Sequence, residues 1–145
     1  MCNNRRVTRE EIEDHIRAVV DEFDGIVSMY LFGSYAEARE HAESDVDVGV
    51  LLDRERYPTE DERFDLRLRL STALSFYGGP LADIVILNDA PATLGSAIVT
   101  RGTRLVCLDE EKDQAWVRDV LLQAPDLERW LERMRAITLE ALGRQ

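Results

Sequence analysis

Ile26-Val27-Ser28-Met29-Tyr30-Leu31-Phe32-Gly33-Ser34, followed ten residues later by Asp45-Val46-Asp47-Val48-Gly49-Val50-Leu51-Leu52, decides how this chain is read. The run 26–32 is almost wholly apolar, rich in strand formers and too short for a typical helix, which predicts a buried strand. Gly33-Ser34 breaks it and opens a short helical turn. A polar loop over 39–44 leads to a second predicted strand, 46–52. Alternate residues of a strand share a side, so Asp45 and Asp47 project together with Cα atoms about 6.6 Å apart. Two carboxylates on one face of a buried strand repel each other and lose hydration unless a cation lies between them. Hard oxygen ligands suit Mg²⁺, which keeps waters and takes substrate phosphates as its remaining ligands. A pair of such ions about 4 Å apart clamps the attacking and leaving oxygens of a phosphoryl displacement. Gly33 lets the backbone approach a phosphate, and Ser34 at a helix start offers it an N–H and a hydroxyl.

A third carboxylate stands out. Asp83 is the lone charge in the apolar segment Leu81-Ala82-Asp83-Ile84-Val85-Ile86-Leu87, which predicts a third strand. The Asp-x-Asp pair means little alone, because 14 aspartates give roughly one such pair by chance. The Gly-Ser at fixed spacing before it carries the signal. Gly95-Ser96 provides a control within the chain, with Cys107 where the aspartate would stand.

The remaining pattern predicts helices around these strands. Thr8-Arg9-Glu10-Glu11 has the form of a capping box, and Ile12, Ile16, Val19, Val20 and Phe23 follow at core-facing spacing. Pro58-Thr59 opens a charged helix carrying Phe64, Leu68 and Leu74, closed by Gly78-Gly79-Pro80. A helix over 92–100, a short strand over 104–108 and helices over 112–122 and 126–142 complete the chain. The last has Leu127, Trp130, Leu131, Met134 and Ile137 along one side, a face for the parent domain or for a partner. The order implies an α/β (α+β) fold, a small mixed sheet flanked by helices, as one domain over 1–145 with a C-terminal helical segment at about 112–143.

Composition excludes several functions. With 45% hydrophobic and 32% charged residues the chain has the balance of a globular protein. Its net charge of −11 argues against direct binding of nucleic acid or of an anionic membrane. Lys112 is its one lysine; an acidic, lysine-poor surface suits a salty cytoplasm, while a GC-rich genome would produce the same arginine bias. No run reaches the roughly 18 apolar residues of a membrane span, and the polar N-terminus is not a secretory signal. Cys2 and Cys107 form no metal or disulfide spacing, which places a reduced near-terminal thiol and a small buried one in a cytoplasmic protein. His15 reads as a solvated helix residue, and His41 lies in the loop before Asp45.

Gly33-Ser34 with Asp45-Val46-Asp47 resembles the signature of the minimal nucleotidyltransferases (MNT) of the DNA polymerase β-like superfamily. The resemblance extends over the leading helix, the strand 44–52, and the segment 81–87 with the turn Asn88-Asp89-Ala90-Pro91, similar to the family's third-aspartate strand and Asn-x-Ala-Pro turn. It implies that Asp45 and Asp47 bind two Mg²⁺ bridging ATP, that Asp83 completes the metal site and helps deprotonate the acceptor hydroxyl, and that Gly33 and Ser34 hold the triphosphate. Small members of this kind are commonly antitoxins of an all-helical HEPN ribonuclease toxin. The implied reaction transfers AMP from ATP to a toxin tyrosine. The chain departs from the family's Gly-Ser-Tyr-Ala-Arg-Gly at Glu37 and Ala38, with Arg39 the nearest basic residue. Two other readings stay open: a small-molecule nucleotidyltransferase of the aminoglycoside-modifying kind, and a catalytically silent antitoxin that acts by binding.

Overall fold

The computed structural model describes residues 7–33, 35–36, 45–75 and 81–123, with isolated positions between 129 and 137. Helix α1 (Arg9–Val20) begins at the predicted cap, where the Thr8 hydroxyl accepts the Glu11 N–H at 3.2 Å and satisfies one otherwise unpaired donor. Ile12, Ile16, Val19 and Val20 face inward, whereas Phe23 lies past the helix end and is partly buried. Strands β1 (Ile26–Phe32) and β2 (Val46–Leu52) pair antiparallel. Helix α2 (Glu60–Leu74), capped by Thr59, then carries the chain to β3 (Ala82–Ile86), which runs parallel to β2. A parallel pair needs such a crossover. Helix α3 (Ala92–Arg101), strand β4 (Thr103–Cys107) and helix α4 (Glu110–Leu122) follow. Strand β4 pairs antiparallel with β1, giving the mixed order β3-β2-β1-β4.

Each sheet face has its own core. Val46, Val48 and Val50 of β2, with Ala82, Ile84 and Ile86 of β3, pack beneath α1 and α2. Tyr30, Leu51 and Leu87 join Ile98 and the partly buried Val85 and Trp116 beneath α3 and α4. Alternation along the strands therefore turns Asp47 and Asp83 toward the α3–α4 side.

The structure alters several sequence expectations. In α2 the buried stripe is Leu66, Leu70 and Leu74 together with Arg63. Phe64 and Leu68 face outward because one stripe of this helix meets the sheet. Leu81 and Leu108, expected inside strands, lie just outside them and are exposed. Cys107 is half-buried rather than buried. His15 is half-buried, with its Nε2 3.1 Å from the Ala73 carbonyl oxygen. Helix α4 starts two residues earlier than expected, at Glu110, because the Asp109 side chain accepts the Lys112 N–H. The breaker cluster 78–80, Cys2 and most of the expected terminal helix lie outside the described residues. Among the described residues no helix is long and apolar enough to cross a membrane.

A buried polar junction, absent from the sequence reading, fixes α4 to the sheet. The fully buried Asp113 carboxylate accepts from Ser28 Oγ at 2.6 Å, Tyr30 Oη at 2.7 Å and an Arg104 guanidinium nitrogen at 2.9 Å. Burial and this carboxylate push the Tyr30 phenol well above its ordinary range. Removing one member strands the others. Asp113→Ala is expected to cost about 3 kcal/mol in urea unfolding, the range for breaking a buried ion pair; a loss below about 1 kcal/mol would show that the junction is dispensable.

Candidate active site

The strand register assembles the site. Phe32 of β1 lies opposite Asp47 of β2, and Asp47 lies opposite Asp83 of β3. The two aspartates are thus lateral neighbours on one face, with backbones about 4.8 Å apart. Asp45 is exposed just before β2, two residues from Asp47. Asp47 is half-buried, while the Asp83 side chain is 56% exposed. The charge of Asp83 is therefore not enclosed as the apolar sequence around it suggested. It stands on the edge strand, where water reaches one side.

Gly33 ties the turn to these carboxylates. Its φ is +73°, a left-handed conformation that side chains disfavour, and a Cβ there would collide with Asp47 Oδ2. The glycine thus brings bare backbone against Asp47. Ser34, Glu37, Ala38, Arg39 and His41 lie outside the described residues.

The cluster has little compensating charge. Among the described residues no cation or hydrogen-bond donor reaches the Asp47 carboxylate. Burial first, then the nearby Asp83 and Asp45, push its carboxyl up to about 6. Among the described residues the cation beside the cluster is Arg67, whose Nε donates to the Ile84 carbonyl at 2.7 Å and whose guanidinium stands 4.0 Å from Asp83 Oδ1. Sequence reasoning missed Arg67, since nothing separates it from the other arginines of α2 until the helix is laid along β3. An all-oxygen donor set that keeps a net negative charge beside one arginine fits a hard divalent cation. Cys107, Glu110 and Asp113 also bring ligand atoms within 4.8 Å of one another. There the Asp113 carboxylate is already taken by Ser28, Tyr30 and Arg104, so that cluster is a structural junction.

The turn after β3 holds the strands in place. Asn88 imitates a paired strand residue, donating Nδ2–H to the Leu52 carbonyl and accepting the Leu52 N–H, both at 2.8 Å. Asp89 receives two guanidinium nitrogens of the buried Arg63 at 2.9 Å, and Arg63 also donates to the Tyr57 carbonyl. Both side chains fix β3 and α2 relative to β2, and hence Asp83 relative to Asp47.

The raised Asp47 pKa makes the metal-free protein pH-sensitive. The folded state keeps a proton on Asp47 that the unfolded chain loses, so stability falls as pH rises from about 4 to about 6. Partial exposure reduces the roughly 3 kcal/mol of two full pH units to on the order of 1 kcal/mol. Asp47→Asn is therefore expected to raise the Tm of the metal-free protein by about 3 °C at neutral pH and to change nothing near pH 4. An unchanged Tm at neutral pH would contradict the electrostatic account.

Residues 14–111 match the family model described as polymerase beta, nucleotidyltransferase. The protein adenylyltransferase MntA of Shewanella oneidensis is 33% identical over 92 residues, a match spanning 62% of this chain and 60% of that relative. Among solved structures, a toxin–antitoxin with AMP-PNP superposes with a TM-score of 0.61 at 24% identity, covering 88% of this chain and 98% of that one. A tri-AMPylated S. oneidensis HEPN toxin in complex with MNT antitoxin gives a TM-score of 0.58 at 22% identity, covering 91% and 99%. These likenesses establish the shared fold. With two thirds of its length under the family model, the chain belongs to the polymerase β-type nucleotidyltransferase family.

Proposed function

We propose that this chain is a metal-dependent nucleotidyltransferase antitoxin that transfers AMP from ATP to a tyrosine hydroxyl of a HEPN-domain partner, neutralising it. The observation that carries the reading is the placement of Asp45, Asp47 and Asp83 at one end of the sheet, with Gly33 backbone against Asp47. The similarity to MntA and to the toxin-bound antitoxin fold supports the choice of a protein acceptor. In this reading Asp45, Asp47 and Asp83 hold Mg²⁺, which when bound neutralises triphosphate charge and supports pyrophosphate departure. Gly33 and Ser34 receive the phosphates. The tyrosine oxygen attacks the α-phosphorus, its proton passes to the Asp83 carboxylate, and the bond to the bridging oxygen breaks to release pyrophosphate. The protein works in the cytoplasm, where ATP is at hand.

Co-expression with the HEPN-domain partner tests this. The partner is expected to gain the mass of one or more AMP units, on tyrosine. Asp45→Asn with Asp47→Asn is expected to reduce transfer by roughly a thousandfold, the several kcal/mol that a bound metal supplies. Undiminished transfer in that double variant overturns the site assignment. Glu37 and Ala38, in place of the family's Arg-Gly, favour one second reading, an antitoxin that inhibits by docking. A tight complex carrying no AMP would select it.

A further inference from the structure

A second feature lies beside the carboxylates. A groove of about 290 Å³ runs along the outer side of β3, lined by Phe64 and Arg67 of α2, Ile84 and Ile86, and Pro91 and Leu94. Its volume is at the lower end for small-molecule sites and its lining is mainly apolar, which suits inserted side chains rather than a triphosphate. Along the same edge Phe64 is 53% exposed, Leu68 51% and Leu81 67%. None of these three serves the core, and clustered exposed apolar residues of this kind mark an interaction surface.

The occupant's chemistry can be read from what surrounds the groove. Strand addition is obstructed, because α2 side chains already take outward backbone groups of β3. Arg67 donates to the Ile84 carbonyl at 2.7 Å, Ser71 to the Ala82 carbonyl at 3.0 Å, and Ser75 Oγ accepts the Ala82 N–H at 3.1 Å. A partner must therefore be recognised through its side chains. The rim is acidic: Glu60, Asp61 and Glu62 crowd the first turn of α2, while the charges of Asp83 and Asp89 are offset by Arg67 and Arg63. Its arginines are engaged, Arg63 by Asp89 and Arg67 by Asp83 and Ile84. Such a rim repels a second copy of a chain carrying −11 and attracts a basic segment. The groove also adjoins the site, since Arg67 lies 4.0 Å from Asp83 and Ile84 is the next residue.

We infer that this groove docks the acceptor protein, by taking an apolar or aromatic side chain from a basic segment that flanks the hydroxyl to be modified. The inference rests on the transfer reading above, and it specifies how the acceptor is held beside Asp83.

The test uses the full chain and its HEPN-domain partner. Phe64→Ser with Leu68→Ser, and separately Glu60→Lys with Asp61→Lys, alter the groove and its rim without touching Asp45, Asp47 or Asp83. Each double variant is expected to raise the Kd for the partner and the acceptor KM at least about tenfold, as for loss of an interface anchor. AMP-PNP affinity and thermal unfolding should stay at wild-type values. Partner Kd and acceptor KM within twofold of wild type in both variants overturn the proposal. So does self-association of the chain that disappears on replacing Phe64 and Leu68, which would assign the groove to a second copy. Groove-dependent partner binding without any AMP transfer would uphold the docking surface and overturn the transfer reading instead. AMP transfer that survives intact in both variants would do the reverse.

Discussion

Three carboxylates held close together with little cationic compensation form the constraint on which the rest of this molecule depends. Asp47 and Asp83 are neighbours because β2 and β3 run parallel in one register, and parallel strands require the α2 crossover. That register is fixed at the C-terminal end of the two strands, by adjacent residues of the turn after β3. Asn88 clamps the end of β2, while Arg63 binds Asp89 from the crossover helix. Gly33, in its left-handed conformation, closes the row from the β1 side. The sheet holds Asp47 where its ionisation is disfavoured, a cost that a bound divalent cation would relieve.

The two sheet faces divide the work. Beneath α1 and α2 the core is wholly apolar through the strands and supplies rigidity through burial. Beneath α3 and α4 the face changes along its length, from Tyr30, Leu51 and Leu87 to the carboxylates at the open end. The Asp113 junction anchors α4 to β1 and β4. The polar junction and the carboxylate row thus use different residues of one sheet.

Much of this was legible in the sequence. Thr8 and Thr59 gave the helix starts through cap chemistry, and the runs 26–32 and 46–52 gave two strands through length and composition. Gly33 meets Asp47, with Asp45 beside it, as their spacing along one chain segment led one to expect. What escaped depends on contacts between distant segments. Arg67 gains meaning only when α2 lies along β3, and Asp113 only when α4 meets Ser28 and Tyr30. The exposure of Asp83 follows from β3 being the edge strand, which an apolar run cannot disclose. Phe64 and Leu68 look like core residues until the stripe of Leu66, Leu70 and Leu74 is seen to fill the interface.

The acidity also takes on a narrower meaning. A net charge of −11 discourages polyanions as direct ligands, yet in the proposed function the same charge concentrated at Asp45, Asp47 and Asp83 would favour a metal-bound triphosphate. Electron paramagnetic resonance of Mn²⁺ with AMP-PNP tests that claim most directly. Tightly bound Mn²⁺ in the wild-type chain, lost in Asp45→Asn with Asp47→Asn, is the predicted result. Equal Mn²⁺ binding in both proteins would contradict the account.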